Sequence, residues 1–147
     1  MTEPQLVINW GAVGVSAVLC FVFGGLWYGP ICGKAWAAGM GFDMSKKPDP
    51  AVMKKAFLLQ AIGVCLLVYV FAHVVQVWRP SVWGGGADQP DYVYALMGAF
   101  FTWIGFYVPQ QLAKVAWESR PWKVFVINVG HDFVQLLMVG TVLSYWR

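Results

Sequence analysis

The chain has 147 residues, of which 59% are hydrophobic, 17% aromatic and only 12% charged, and its formal net charge is +3. Soluble domains carry about a quarter of their residues as charged side chains, so an ordinary soluble fold is excluded, and the length leaves room for one domain, 1–147. Ten Lys and Arg scattered between apolar segments are also too few for a nucleic-acid-binding face.

Four apolar stretches, residues 6–28, 56–78, 92–113 and 124–146, make up most of the sequence. At about 1.5 Å per residue each can cross roughly 30 Å of hydrocarbon as a helix. The expected fold is an all-α membrane protein, a four-transmembrane-helix bundle. The first stretch follows Glu3 rather than a basic segment and is too long for a signal-peptide core, so no cleaved signal peptide is expected. Ala12, Ser16, Cys20 and Gly24 recur at steps of four along it, a face that a neighbouring helix can approach closely. Pro30 removes a backbone donor and disfavours helix in the residue before it, so this span should end or kink there. The link that follows, residues 29–55, contains a run at 31–40 with Lys34 and Trp36 that reads as an interfacial helix. Residues 43–50, with Lys46, Lys47, Pro48 and Pro50, read as a loop.

The second stretch is apolar until His73 and Gln76, which predict an outward-facing polar patch at its far end. The next link holds Trp83-Gly84-Gly85-Gly86, with Arg79 against Asp88 and Asp91. In the third stretch Ala95, Gly98, Thr102 and Gly105 form a second small-residue face, expected to meet that of the first span as the bundle seam. Trp103 lies near mid-span, where its indole donor needs a protein partner. Pro109 predicts a second end or kink, beside Gln110 and Gln111, whose amides can satisfy the carbonyls it frees. Arg120-Pro121-Trp122-Lys123 reads first as a charged anchor with a helix-starting proline and second as a site for anionic lipid headgroups, with Lys34 as a further contact.

Lys and Arg concentrate in the first and third links, which places those links in the cytoplasm and both termini outside. Most other tryptophans and tyrosines fall where spans meet water, as a headgroup-level girdle. Cys20, Cys32 and Cys65 support neither a disulfide framework nor a metal site, and no phosphate-cradling glycine loop, nucleophile elbow or paired-His motif is present. No cofactor is expected.

The fourth stretch contains Asn128, His131, Asp132 and Gln135 within eight residues. At about 100° per residue Asn128, Asp132 and Gln135 share one face, with His131 beside them. A carboxylate at this depth is expensive to ionise in hydrocarbon. Depth counting puts Ser16 and Thr102 at a similar level, as partners for Asp132. Two readings compete: hydrogen bonds across helices that fix register, and a polar pocket or proton path through His131 and Asp132.

The two halves of the chain share an order of residues. Trp27-Tyr28-Gly29-Pro30, then Lys34 and Trp36, is echoed by Phe106-Tyr107-Val108-Pro109, then Lys114 and Trp117, and Lys55-Ala56-Phe57-Leu58-Leu59-Gln60 matches Lys123-Val124-Phe125-Val126-Ile127-Asn128 by type. This suggests two tandem helical hairpins related by an axis along the membrane normal, or else the recurrence of Tyr, Trp, Pro and Lys wherever spans meet headgroups.

Trp27-Tyr28-Gly29-Pro30 with Gly33-Lys34-Ala35-Trp36, and Glu118-Ser119-Arg120-Pro121-Trp122-Lys123 leading to Ile127-Asn128, resemble the family catalogued as domain of unknown function 1761. The resemblance covers nearly the whole chain. It implies a compact four-span bundle in a bacterial cytoplasmic (inner) membrane and carries no catalytic residues or cofactor across.

The leading expectation is a non-enzymatic membrane protein that self-associates as a homo-oligomer or serves as an accessory subunit of a membrane complex, with membrane lipids as partners. The alternatives are a small proton-linked carrier or channel along the fourth span, and a membrane enzyme acting on a lipid or quinone.

Overall fold

The computed structural model describes residues 3–147, and the regular structure among them is helical throughout. Helix α1 (Trp10–Leu26) opens at Asn9, whose side chain accepts from the Ala12 amide at 3.1 Å and so satisfies one of the donors left free at any helix start. The expected start at residue 6 is therefore too early. The preceding residues run outside the helix, tied down where the Gln5 amide donates to the Val82 carbonyl (2.9 Å) and the Gln76 side chain to the Val7 carbonyl (2.9 Å). Gln76 is thus buried as a clamp, not part of an exposed patch.

The first span ends in a π-helical segment, Trp27–Ile31, in which the Cys32 amide reaches back to the Trp27 carbonyl (2.7 Å) and the backbone leaves helical geometry at Gly29 (φ −102°, ψ −105°). This is the break expected at Pro30, and the wider turn accommodates its ring and missing donor. The interfacial run becomes α2 (Gly33–Met40), which Gly41 closes with a left-handed φ of 73°. Gly33 has no space for a side chain, since a Cβ there would lie 2.5 Å from the Tyr28 carbonyl, and this lets α2 turn back against the end of the span.

Helix α3 (Pro50–Val77) begins ahead of residue 56 because Asp49 caps the Ala51 amide (2.8 Å) and Pro50 takes the first helical position, where a missing N–H costs nothing. Its 28 residues extend about 42 Å, more than hydrocarbon requires. A short 3-10 turn, Pro80–Trp83, leads towards α4 (Asp91–Thr102). The third span then continues through a second π-helical segment, Trp103–Tyr107, into α5 (Val108–Glu118), beyond its expected end at 113. In an unbroken α-helix the ring of Pro109 would strike the Gly105 carbonyl, and the π turn ahead of it relieves that collision without ending the span. Helix α6 (Trp122–Tyr145) follows Pro121. Four stretches, Trp10–Ile31, Pro50–Val77, Asp91–Glu118 and Trp122–Tyr145, are long and apolar enough to cross a membrane.

Helix α6 is the centre of the bundle, packing most extensively on α4 and also on α1, α3, α2 and α5. The expected seam between the small-residue faces of the first and third spans does not form, because each faces α6 and α3 instead. The reason is visible at Gly140, where a Cβ would meet the Ala95 carbonyl at 3.1 Å: the small residues of α4 admit α6, not α1. Ala12, Ser16, Cys20, Ala95 and Gly98 are buried in this arrangement, and Gly24 sits beneath His131. Thr102 is only half-buried, and Gly105 is exposed with nothing near the position of a Cβ. The apolar core gathers Val64, Val68, Phe71, Ala72 and Val75 of α3 with Leu136, Val139 and Leu143 of α6. Close dispersion contact holds such faces together in lipid, where no hydrophobic force acts between helices.

Candidate functional site

Two indoles grip α6 from opposite sides. Trp27 donates to the Ile127 carbonyl (3.1 Å) and Trp103 to the Val129 carbonyl (2.8 Å), the latter supplying the partner that its mid-span position demands. Between them Asn128 accepts from the Tyr28 hydroxyl (3.0 Å) and donates to Gln111 (3.3 Å), so its amide joins the first, third and fourth spans. Cross-helix bonding of this kind fixes register. Gln111 therefore serves a side chain of α6 rather than carbonyls freed by Pro109.

One turn further along α6 the pattern changes. His131 Nδ1 lies 3.2 Å from Asp132 Oδ1, with the two side chains 9% and 15% exposed. The imidazole is walled by Phe23 (stacked, centroids 5.1 Å apart), Tyr28 (4.8 Å) and Trp27 (edge-on, 6.1 Å). The remaining polar atoms, His131 Nε2 and Asp132 Oδ2, are buried and have no hydrogen-bond partner. Gln135 lies within reach of the Cys20 thiol.

The partners expected for Asp132 are elsewhere. Ser16 Oγ is buried but unbonded, and Thr102 lines an apolar groove of about 660 Å³ with Val74, Trp78, Met97 and Phe101. Depth along a straight helix says nothing about azimuth, and Thr102 faces α3 instead of the polar face of α6. The side chains that do surround Asp132 are Tyr28, Gln60, Tyr107 and Gln135, around a cavity of about 290 Å³. A second cavity of about 280 Å³ shares Tyr28, Gln60, His131 and Gln135 and adds Cys20, Gly24 and Phe57. Both exist because residues 50–60, the amino-terminal part of α3, are exposed on every side: this part of the helix stands away from the bundle.

Sequence reasoning placed Trp27 and Tyr28 in the headgroup girdle and passed over Tyr107 and Gln60. The repeat held the signal. Tyr28 and Tyr107 are its matched positions, each in or at the edge of a π-helical segment, and both line the Asp132 cavity.

A second polar cluster lies at the opposite end. Arg79 is 1% exposed, pairs with Asp91 (2.8 Å) and Asp88 (3.6 Å), donates to the Ser144 carbonyl (3.3 Å) and lies 4.1 Å over the Tyr94 ring. Arg147 reaches the same carboxylates at 3.2 and 3.5 Å. The Ser81 amide and hydroxyl bond to Asp88, and with Arg79 and Arg147 beside it they hold its carboxyl below the ordinary carboxylate range. His73 bonds the Tyr69 carbonyl (2.9 Å) on its own helix.

Of the basic residues singled out for headgroups, Lys34 and Lys123 are exposed, whereas Arg120 is half-buried. Cys20, Cys32 and Cys65 are free thiols, and among the described residues no cluster of His, Cys, Asp and Glu has the makings of a metal site. The model of one family, described as "Protein of unknown function (DUF1761)", matches residues 11–144. No curated protein and no solved structure matches the chain.

Proposed function

The chain belongs to the DUF1761 family of proteins of unknown function, with four helices able to cross a membrane, and from that premise we propose a non-enzymatic protein of the bacterial cytoplasmic membrane that passes protons, or a small solute moving with them, through the His131–Asp132 pair. One observation carries this reading: the outward atoms of the pair, Nε2 and Oδ2, are buried, unbonded and bordered by cavities. Leaving such an atom unpaired costs about 1–3 kcal/mol. Asn128, one turn earlier, has its side-chain bonds made to Tyr28 and Gln111. Both termini lie outside in this reading, since eight Lys and Arg (34, 46, 47, 54, 55, 114, 120 and 123) sit in or beside the first and third links, against two (79 and 147) at the other end.

The test is proton flux into liposomes holding the purified protein and a pH-sensitive dye. Wild type dissipates an imposed pH gradient and Asp132→Asn does not. Equal flux from the two proteins, or none above empty liposomes from either, sinks the proposal.

A second reading, self-association or docking as an accessory subunit, is favoured by the fully exposed stretch of α3, which a partner helix would cover. Cys65, exposed farther along the same helix, is a built-in probe. Mild oxidation of membranes should yield a covalent dimer that Cys65→Ser abolishes. Only monomer after oxidation, together with a single-protomer mass in mild detergent, would remove this reading.

A further inference from the structure

At the basic end of the bundle α2, α5 and α6 enclose a third cavity, of about 270 Å³, separate from the His131–Asp132 cavities except for the Tyr28 wall they share. That volume is about nine waters' worth of liquid. Its lining residues include Lys114, Arg120, Gln111, Asn128 and Trp36, and no Asp or Glu.

Three features of the lining point to an anion. Lys114 is half-buried and has no acidic partner among the described residues. Trp36 Nε1 is buried and donates to nothing. Arg120 bonds Glu118 through Nε (3.0 Å), but it spends one of its terminal nitrogens on the Met40 thioether, a weak acceptor, so donor capacity remains at the pocket. A buried indole donor with a lysine and an arginine, with one of these charges neutralised by Glu118, suits an oxyanion with several acceptor oxygens. The pocket lies where the first, third and fourth spans leave the apolar region, the level at which lipid phosphates sit.

We infer that this cavity is a binding site for a phosphoryl group, held by Lys114, Arg120 and the Trp36 indole. The phosphoryl group has two available sources, the headgroup of an anionic phospholipid and free phosphate from the cytoplasm. Neither depends on proton passage at His131–Asp132, so the site stands or falls independently of it.

The experiment uses the full chain in nanodiscs or mild detergent. Native mass spectrometry reads retained phosphatidylglycerol against phosphatidylcholine, and thermal unfolding reads the response to inorganic phosphate. Lys114→Gln should lower retention of the anionic lipid, or the stabilisation by phosphate, about tenfold, as expected for loss of a charge-assisted bond. Lys47→Gln removes the same charge from an exposed loop and should change neither. Arg120→Gln should match Lys114→Gln, which guards against misfolding of a single variant. Dependence on Lys114 in the lipid arm alone assigns a headgroup, and in the phosphate arm alone a soluble anion. Equal loss in Lys47→Gln, or indifference of both arms to Lys114→Gln, overturns the inference.

Discussion

Where α3 and α6 finish, two arginines and two aspartates converge: Arg79 is sandwiched between both aspartates, a carbonyl and the Tyr94 ring, Arg147 closes over the same carboxylates, and Gln76 ties in the chain ahead of α1. Where those helices begin, α3 leaves the bundle, cavities open, and His131, Asp132 and Trp36 each keep a buried polar atom without a partner. The apolar core lies on the Arg79 side of this divide. The contrast separates two uses of intramembrane polarity. At one end opposite charges close on one another, and at the other the outer atoms of His131 and Asp132 are bordered by cavities.

The largest effect should come from the Arg79 end. Arg79→Ala removes a buried guanidinium with its Ser144 and Tyr94 contacts and leaves Asp88 and Asp91 to Arg147, and should lower unfolding stability by about 3 kcal/mol, the low end of the cost of breaking a buried ion pair. Unfolding in mixed detergent micelles measures it, and a loss well below 1 kcal/mol would erase the distinction between the ends. Acid should act on the same cluster. Because folding depresses the carboxyl pKa of Asp88, its contribution is complete above the ordinary carboxylate value of about 3.9 and is lost as pH falls below it through the folded-state value. Thermal midpoints recorded from pH 5 downward should fall more steeply in wild type than in Asp88→Asn.

Smaller effects are expected nearer the open end. Trp103→Phe leaves the ring but removes the bond to the Val129 carbonyl, a loss of about 1 kcal/mol readable by the same unfolding assay. Asp132→Asn should change stability least, within about 1 kcal/mol in either direction, because the Oδ2 it replaces bonds nothing. A loss comparable to that of Arg79→Ala would mean that Asp132 is structural and that the two ends do not differ in kind.

Hydropathy sufficed for the four spans, because length and apolar composition alone decide what can cross a bilayer. It missed their ends, where single side chains decide: Asn9 delays the first helix, while Asp49 and Pro50 advance the second. The polar face of α6 was visible as a period in the sequence, yet its partners were not. Ser16 and Thr102 were chosen by depth, and depth leaves rotation about each helix free. Tyr28 and Tyr107 were hidden by composition, since a tyrosine near a span end reads as an interfacial anchor until a neighbouring helix is known to pass it. Arg79 was counted for orientation, and its burial could not be foreseen without knowing that Asp88, Asp91 and Arg147 converge on it.

The π turn at Trp103–Tyr107 fits one residue more into its loop than an α turn would. Everything beyond it, Gln111 included, is therefore indexed by about 100° relative to the helix below. Straightening this turn into a plain α-helix with the sequence unchanged would drive the Pro109 ring against the Gly105 carbonyl and swing Gln111 away from Asn128. In this protein one wide turn does the work of a gear tooth: it sets which residues of the third span can engage the fourth.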